Sequence, residues 1–457
     1  MDENRHNFND RKSRRDFIKI GAVAGIGAVL GNTFLTESLK GQQKLTSEPV
    51  SFTVPPMKKV RLGFVGVGLQ GSNHMRNLMQ IEGVEIKAVC DIVEEKVTRW
   101  QQILEKEGRP RPSGYSKGQT DFKRMCENED LDLVYTVTPW EWHTPVAVTA
   151  METGKNVAIE VPSAVTIDEC WKLVEMSEKM KKHCCIMENC CYNRFELLTL
   201  NLVRKGLLGE ILNAECGYLH DLRGIKFENR NEGLWRRAHS IKRNGNLYPT
   251  HGLGPTSQCM NINRGDRFDY LVSMSSPSRG LQLYAKENFK PNDPRYNEEY
   301  KLGDVNTSII KTVQGKTITV IHDTNLPRPY SRINLIQGTL GVVMGYPDTL
   351  VYIEGKSKEH SWDKADDWYK EYEHPLWKSM GGKGAGHGGM DFIEDYRLIK
   401  CLREGLPVDI DVYDAAAWSA VSELSEISVA NKSKPVDFPD FTRGAWKTRK
   451  PLGIVEA

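Results

Sequence analysis

The chemical content of this 457-residue sequence lies in a few histidines, a glycine-rich loop and several tyrosines. His251 stands in Tyr248-Pro249-Thr250-His251-Gly252-Leu253-Gly254-Pro255, a stretch that reads as a Pro/Gly-rich loop. Imidazole has an unperturbed pKa near working pH, so it can take a proton and return it within one cycle. The second feature is Gly66-Val67-Gly68-Leu69-Gln70-Gly71, which follows the apolar run 60–65 and opens a helical pattern. In that context Gly66 permits a tight turn, Gly68 lets backbone approach a pyrophosphate, and Gly71 allows close helix–strand packing. The helix N-terminus adds N–H donors and a positive dipole end for phosphates. Asp91 comes twenty residues after Gly71, at the end of a second β-rich run. A carboxylate there accepts hydrogen bonds from ribose hydroxyls and repels a 2′-phosphate, which favours NAD over NADP.

The elements that must position these residues alternate. Helices are expected at 92–106, 121–126, 145–153 and 167–181, and strands at 131–138, 156–161 and 183–188. Such β-α units specify a parallel sheet with right-handed crossovers, whose ligands sit at the carboxyl ends of the strands. Segments 138–143, 160–162 and 188–192 fall at those ends. After a helix at 194–205 the pattern becomes strand-rich, at 211–220, 268–274, 308–313, 317–322, 332–336, 341–344 and 349–353, without helices of crossover length. That implies an open, mostly antiparallel sheet with one face covered. Helices return at 389–404 and 412–431. The fold class is therefore α/β: an N-terminal Rossmann-type parallel-sheet domain over 58–190, then a C-terminal α+β domain over 191–430 and a basic tail over 431–457. The substrate cleft is expected between the two domains.

Composition narrows the function. Lys plus Arg number 62 against 60 Asp plus Glu, a net charge of +2, which argues against a nucleic-acid partner. The ten cysteines contain no CxxC and no finger spacing, so no metal site is expected, and the doublets Cys184-Cys185 and Cys190-Cys191 read as small core residues. Ser13-Arg14-Arg15-Asp16-Phe17-Ile18-Lys19 followed by the apolar run 20–30 resembles a twin-arginine export signal, so residues 1–40 imply a periplasmic or otherwise exported protein. Eleven apolar residues are too few for a stable membrane span. Residues 41–57, with Pro49, Pro55 and Pro56, read as a linker.

The order GVGLQG, Asp91, VTPWEWH, AIEVP, MENCCYNR, NLYPTHGLGP and GHGGMDFIEDY, over about residues 58–430, resembles the Gfo/Idh/MocA oxidoreductase superfamily. More narrowly it resembles glycoside hydrolase family 109, NAD-dependent enzymes described as α-N-acetylgalactosaminidases. Superfamily dehydrogenases usually carry E-K-P, where this chain has Glu160-Val161-Pro162, and an Asp where it has Leu247. Both departures weigh against a plain sugar or polyol dehydrogenase, which stays the alternative. The resemblance implies a glycosidase of terminal α-linked N-acetylgalactosamine whose NAD is not consumed. It also makes a homodimer an expectation, since open sheets in the superfamily often pair face to face.

Site roles follow from the same resemblance. His251, Tyr192 and Tyr248 are the expected catalytic residues. Gly66, Gly68, Leu69, Gln70, Gly71, Asp91, Trp140, Glu141, Trp142, His143, Glu160, Val161 and Asn189 are expected to hold NAD. Tyr218, Arg236, Tyr248, Pro249, Thr250, His251 and Tyr330 are expected to bind a small-molecule or glycan substrate. For several of these a bland role competes: a packed loop histidine for His251, a wall residue for Tyr192 or Tyr248, a surface salt bridge for Arg236, a helix cap for His143. His387, flanked by glycines, either reaches the cleft or is a loop histidine with no role. His74, early in the first helix, reads as a surface residue. The aromatic segment 362–377 reads as a solvated loop over the second domain, with a lid for sugar stacking as the alternative.

Overall fold

The computed structural model describes residues 53–381, 383–384, 387–451 and 454. The export-like segment 1–40 and most of the 41–57 linker lie outside the described residues.

Six short strands form the first sheet: β1 (Val60–Val65), β2 (Val84–Cys90), β3 (Ser113–Tyr115), β4 (Leu133–Thr136), β5 (Asn156–Ile159) and β6 (Cys184–Ile186). Their order is β3-β2-β1-β4-β5-β6 and every neighbouring pair is parallel. The order reverses between β1 and β4, so the carboxyl ends of those strands flank the switch point where such sheets bind ligands. β4 and β5 are buried throughout, which is why they read as continuous apolar runs.

Helix α1 (Leu69–Leu78) begins on the glycine loop. Ser72 Oγ donates to the Val67 carbonyl and accepts from the buried Trp100 indole, each at 3.1 Å, which ties the loop to the helix Glu94–Lys106. Helix α2 (Trp140–Glu152) starts five residues earlier than the sequence suggests. Pro145 reads as a helix start, but here it lies inside the helix. The ring nitrogens of His143 lie 2.7 and 2.8 Å from the Pro162 and Thr138 carbonyl oxygens, joining this turn to the ends of β4 and β5.

The second sheet comprises β7 (Ile211–Leu219), β8 (Phe268–Ser275), β9 (Val305–Thr312), β10 (Thr317–Asp323), β11 (Leu335–Gly338), β12 (Gly341–Met344), β13 (Leu350–Ile353), β14 (Asp363–Lys364) and β15 (Val436–Asp437). Its order is β14-β13-β12-β11-β7-β10-β9-β8-β15, antiparallel except for the β7–β10 pair. The run expected at 332–336 begins as strand only at Leu335, because Ile333 and Asn334 take left-handed φ values of 63° and 50°.

Four expectations are corrected by packing. The Tyr248–Pro255 stretch is not a loop: helix α3 (Thr250–Cys259) carries it, and a Cβ at Gly252 would lie 2.4 Å from the Gly217 backbone nitrogen. Gly252 thus serves close packing on β7, and Gly254 close packing on Glu188, Cys191 and Trp418. Segment 362–377 is not a solvated loop, since it folds into β14 and two short helices with Trp368 buried, and Arg194 pairs with Glu373 beneath them. Helix α4 (Met390–Glu404), expected in the second domain, packs on α1 and sends Phe392, Leu398, Ile399 and Leu402 into the core of the first sheet. The tail beyond 431 supplies the edge strand β15 and buries Phe438 and Phe441.

Helix α5 (Val412–Ala430) opens with a capping box in which Asp411 accepts from the Asp414 amide and Asp414 from the Asp411 amide. It is buried on most sides and touches β6, β8 and the helix Ile167–Met180, so it bridges the two sheets. Among the described residues no helix is long and apolar enough to cross a membrane.

Candidate active site

A cavity of about 600 Å³ opens over the carboxyl ends of β1 and β4. Its walls include Gly66, Gly68, Leu69, Gln70, Asp91, Trp140–His143, Glu160, Val161 and Asn189 from the first sheet's loops. Tyr218, Trp235, Arg236, Tyr248, His251 and His387 close it from the other side.

The glycine loop fits a dinucleotide. A Cβ on Gly66, whose φ is +87°, would fall 2.3 Å from the Val137 carbonyl oxygen, and one on Gly71 would fall 2.2 Å from the Gly66 carbonyl oxygen. Gly68 is different: its Cβ position meets only Lys96 Nζ, at 3.9 Å. Backbone there faces open cavity, the cradle a pyrophosphate needs. Asp91 is fixed at the other end of this groove by the Val67 and Val93 amides, both at 3.0 Å. Gly71 itself packs under the loop and does not line the cavity.

His251, near the start of α3, points Nδ1 at Glu188 Oε1, 2.8 Å away. Glu188 follows β6, has no solvent exposure, and also accepts from the Cys190 amide at 3.2 Å. Burial alone would push its carboxyl up; the charge and hydrogen bond of His251, with help from Thr250 and the Cys190 amide, outweigh this and hold it below the usual range. The pair fixes the ring so that Nε2 is left for the cavity. Glu188, Cys190 and His251 also bring three donor atoms within 4.8 Å of one another, but two of these groups are already hydrogen-bonded together.

Around His251 lie two phenols and a cation. Tyr218 and Tyr248 have ring centroids 5.3 and 4.9 Å from the imidazole and 4.6 Å from each other. Burial pushes the Tyr218 phenol up to about 12 and Tyr248 well above its ordinary value, so both are hydrogen-bond donors at neutral pH. Arg236 is 6% exposed, which answers the surface salt-bridge alternative. Its guanidinium lies 5.0 to 5.4 Å from the rings of Trp140, Tyr248 and Trp235 and 2.9 Å from Glu232.

A second imidazole–carboxylate pair faces the same space. His387 Nδ1 lies 2.9 Å from buried Asp391, whose other contacts are Asn189 Nδ2 at 2.7 Å and Gln70 Nε2 at 3.2 Å. His387 is raised from its ordinary pKa, first by the hydrogen bond to Asp391. Two expected NAD contacts, Gln70 and Asn189, are thus tied to the same carboxylate on α4.

Other expected site residues stand elsewhere. Tyr192 does not reach the cavity: its hydroxyl is 3.2 Å from Asp409, which also holds Arg397 through two 2.8 Å bonds. Pro249 and Thr250 begin α3 and present His251 rather than line the space. Tyr330 sits outside the lining, 6.1 Å from the Tyr218 ring, with its hydroxyl 3.0 Å from Arg332. His74 is no surface residue. It is fully buried, with Nδ1 2.8 Å from Asp395 and Nε2 2.8 Å from Glu160.

Sequence reasoning passed over Glu188 and Asp391 as functional carboxylates, and Trp235 and Glu232 as part of the lining. Glu188 was findable, because it stands at a strand's carboxyl end, where ligands gather.

A Rossmann sheet whose glycine loop opens into a cavity closed by a mixed sheet defines a nicotinamide-nucleotide-dependent enzyme. Residues 60–188 match the model of the oxidoreductase family with an NAD-binding Rossmann fold, and residues 192–448 match that of the glycosyl hydrolase 109 C-terminal domain. A glycosyl hydrolase family 109 protein of Shewanella pealeana is 48% identical over 97% of this chain and 99% of its own length. A protein of Shewanella oneidensis named alpha-N-acetylgalactosaminidase is 47% identical over the same shares. The chain belongs to glycosyl hydrolase family 109. In fold it is similar to levoglucosan dehydrogenase solved with NADH, with a TM-score of 0.65 and 19% identity over 83% of this chain and 99% of that one.

Proposed function

We propose that this protein is an exported glycosidase that hydrolyses terminal α-linked N-acetylgalactosamine by an oxidation–elimination–addition–reduction cycle with no net redox change. The observation that carries the reading is the His251–Glu188 pair: a fixed imidazole on the wall of a nicotinamide-binding cavity, in a family of hydrolases. NAD, when bound, supplies a reversible acceptor for the C3 hydride of the sugar, and oxidation at C3 acidifies the neighbouring C2–H. His251 Nε2 takes that proton and returns it once water has added at C1. Tyr218, a neutral phenol, donates to a sugar oxygen and holds the ring, while Tyr248 relays the C3 hydroxyl proton: its oxygen accepts from that hydroxyl as its own O–H passes to water in the cavity when the hydride leaves, and the relay runs backwards when the hydride returns. His387, aimed by Asp391, donates to the glycosidic oxygen as it leaves and then deprotonates the incoming water. No pair of carboxylates at the spacing of ordinary glycosidases is required.

The N-acetylgalactosamine assignment rests on the name of the Shewanella oneidensis relative. Purified protein given a chromogenic α-N-acetylgalactosaminide is expected to release the chromophore while absorbance at the reduced-nicotinamide band stays flat. Reduced nicotinamide accumulating with free sugars or polyols, without hydrolysis, would establish the dehydrogenase alternative.

Export is supported by the S-R-R-x-F-I-K segment. Replacing Arg14 and Arg15 by lysine is expected to retain the protein in the cytoplasm, and unchanged secretion would refute the signal.

A further inference from the structure

One buried cation touches the cofactor cavity from behind. His74 has no solvent exposure, and its two ring nitrogens are taken by carboxylates from distant parts of the chain. Nδ1 lies 2.8 and 3.0 Å from the two oxygens of Asp395 on α4, and Nε2 lies 2.8 Å from Glu160 Oε1 just after β5. With a carboxylate oxygen at each ring nitrogen, His74 donates on both sides as an imidazolium when both carboxylates are ionised; burial raises the Asp395 carboxyl from its ordinary value, and the charge and hydrogen bond of His74 work against that rise. The groups facing it agree. Tyr135 on β4 donates to Asp395 at 3.1 Å, and Asn77 on α1 does so at 3.3 Å. Asp391 on α4, itself held low in part by the charge of His74, adds to the negative surroundings. Burial opposes the charge on His74, but Asp395 and then Glu160 outweigh it and raise the group well above its ordinary range. Glu394, buried with both oxygens unpartnered, is pushed the other way into the neutral acid, so it does not compete for the cation.

Glu160 is the member of this chain that meets the cavity. Its second oxygen accepts from the Val161 amide at 3.0 Å, so both oxygens are held. Glu160 and Val161 lie at the carboxyl end of β5, beyond β4 from the Asp91 end, and share the cavity wall with Asn189, Tyr248 and His251. That is the end a nicotinamide occupies when the ribose of the adenosine sits at Asp91.

We propose that His74 is a positioning residue for the cofactor: clamped between Asp395 and Glu160, it fixes the Glu160 carboxylate at the nicotinamide end of the cavity, so that the oxidised cofactor, with its cationic nicotinamide ring, is held in preference to the reduced one, whose ring is neutral. A fixed negative charge on the wall stabilises a cationic ring and does little for an uncharged one. An enzyme that begins each turnover with oxidised NAD needs this bias, and to that extent the inference rests on the redox-neutral cycle. Its test uses binding alone, so the two ideas fail separately.

Dissociation constants for NAD and NADH are measured on the stripped protein by tryptophan quenching, for wild type, H74Q, E160Q and the double variant. H74Q is expected to weaken NAD about tenfold and NADH little. E160Q should do the same, and the double variant should be no worse than E160Q, because one residue acts through the other. A purely structural His74 would instead lower the melting temperature while leaving the NAD to NADH ratio unchanged, and that result overturns the proposal, as does additivity in the double variant. Nitrogen-15 NMR of the histidine-labelled wild-type protein at pH 8 gives a reading that does not depend on H74Q folding. Two protonated ring nitrogens on His74 are expected, and a neutral tautomer there contradicts the proposal.

Discussion

His251 Nδ1 and Glu188 Oε1 lie 2.8 Å apart, with the carboxylate wholly buried and the imidazole on the wall of the cavity. The carboxylate selects the tautomer of the ring and offsets the charge that forms when Nε2 takes a proton, the same logic by which an aspartate serves the histidine of a serine protease. E188Q keeps the shape and removes that charge. Turnover is expected to fall by about 10²–10⁴-fold with NAD affinity unchanged, measured by chromophore release and cofactor titration.

The same pair sets a stability dependence on pH. Glu188 is held below its unfolded value, so its contribution is complete above about pH 4.3 and is lost as pH falls through the native value. The difference in melting temperature between wild type and E188Q should therefore be large at pH 7 and narrow as pH falls from about 4.3 through the lowered native value. A gap that widens in acid would mean that the pair is wrongly assigned.

Tyr192 provides a negative test. Its hydroxyl is engaged with Asp409 and the Arg397 pair, outside the cavity. Y192F should keep full kcat while losing about 1–2 kcal/mol of stability in denaturant titration, the cost of leaving part of a buried polar network unsatisfied. A large drop in kcat without loss of stability would restore the catalytic role expected from sequence.

Gly68 and Gly71 should respond differently to alanine. The Gly71 methyl would strike backbone at 2.2 Å, so G71A is expected to disturb the turn and lower the yield of folded protein. The Gly68 methyl enters open cavity, so G68A should fold normally and bind NAD more weakly, by about tenfold. Melting curves and cofactor titration separate the two effects.

Arg236 is enclosed by aromatic rings and pairs with Glu232. R236K keeps the charge and loses the planar stacking surface. KM for the glycoside is expected to rise by about tenfold with a smaller change in kcat, and an unchanged KM would remove Arg236 from the substrate site.

Features set by local sequence were legible. The glycine loop, Asp91, the parallel sheet and the mixed sheet follow from spacing and periodicity, and about half of the residues that line the cavity follow from the glycine motif and the family resemblance. What escaped depends on partners far along the chain. His74 looks like a surface residue because nothing near it shows that Glu160, 86 residues away, and Asp395, 321 residues away, close over it. Glycine and proline disguise α3 as a loop, although Gly252 is there to let the helix approach β7. Tyr192 follows a strand end, yet its rotamer points to Asp409, a contact 217 residues away.

The most direct measurement is NMR of the sugar released when the protein acts on an α-N-acetylgalactosaminide in deuterated water, comparing wild type with H251A. The proposed cycle requires deuterium at C2 of the product from the wild-type protein, no net NADH, and no exchange with H251A although it still binds NAD. Sugar released with protium retained at C2 would show that the bond breaks without C2–H removal and would contradict the cycle.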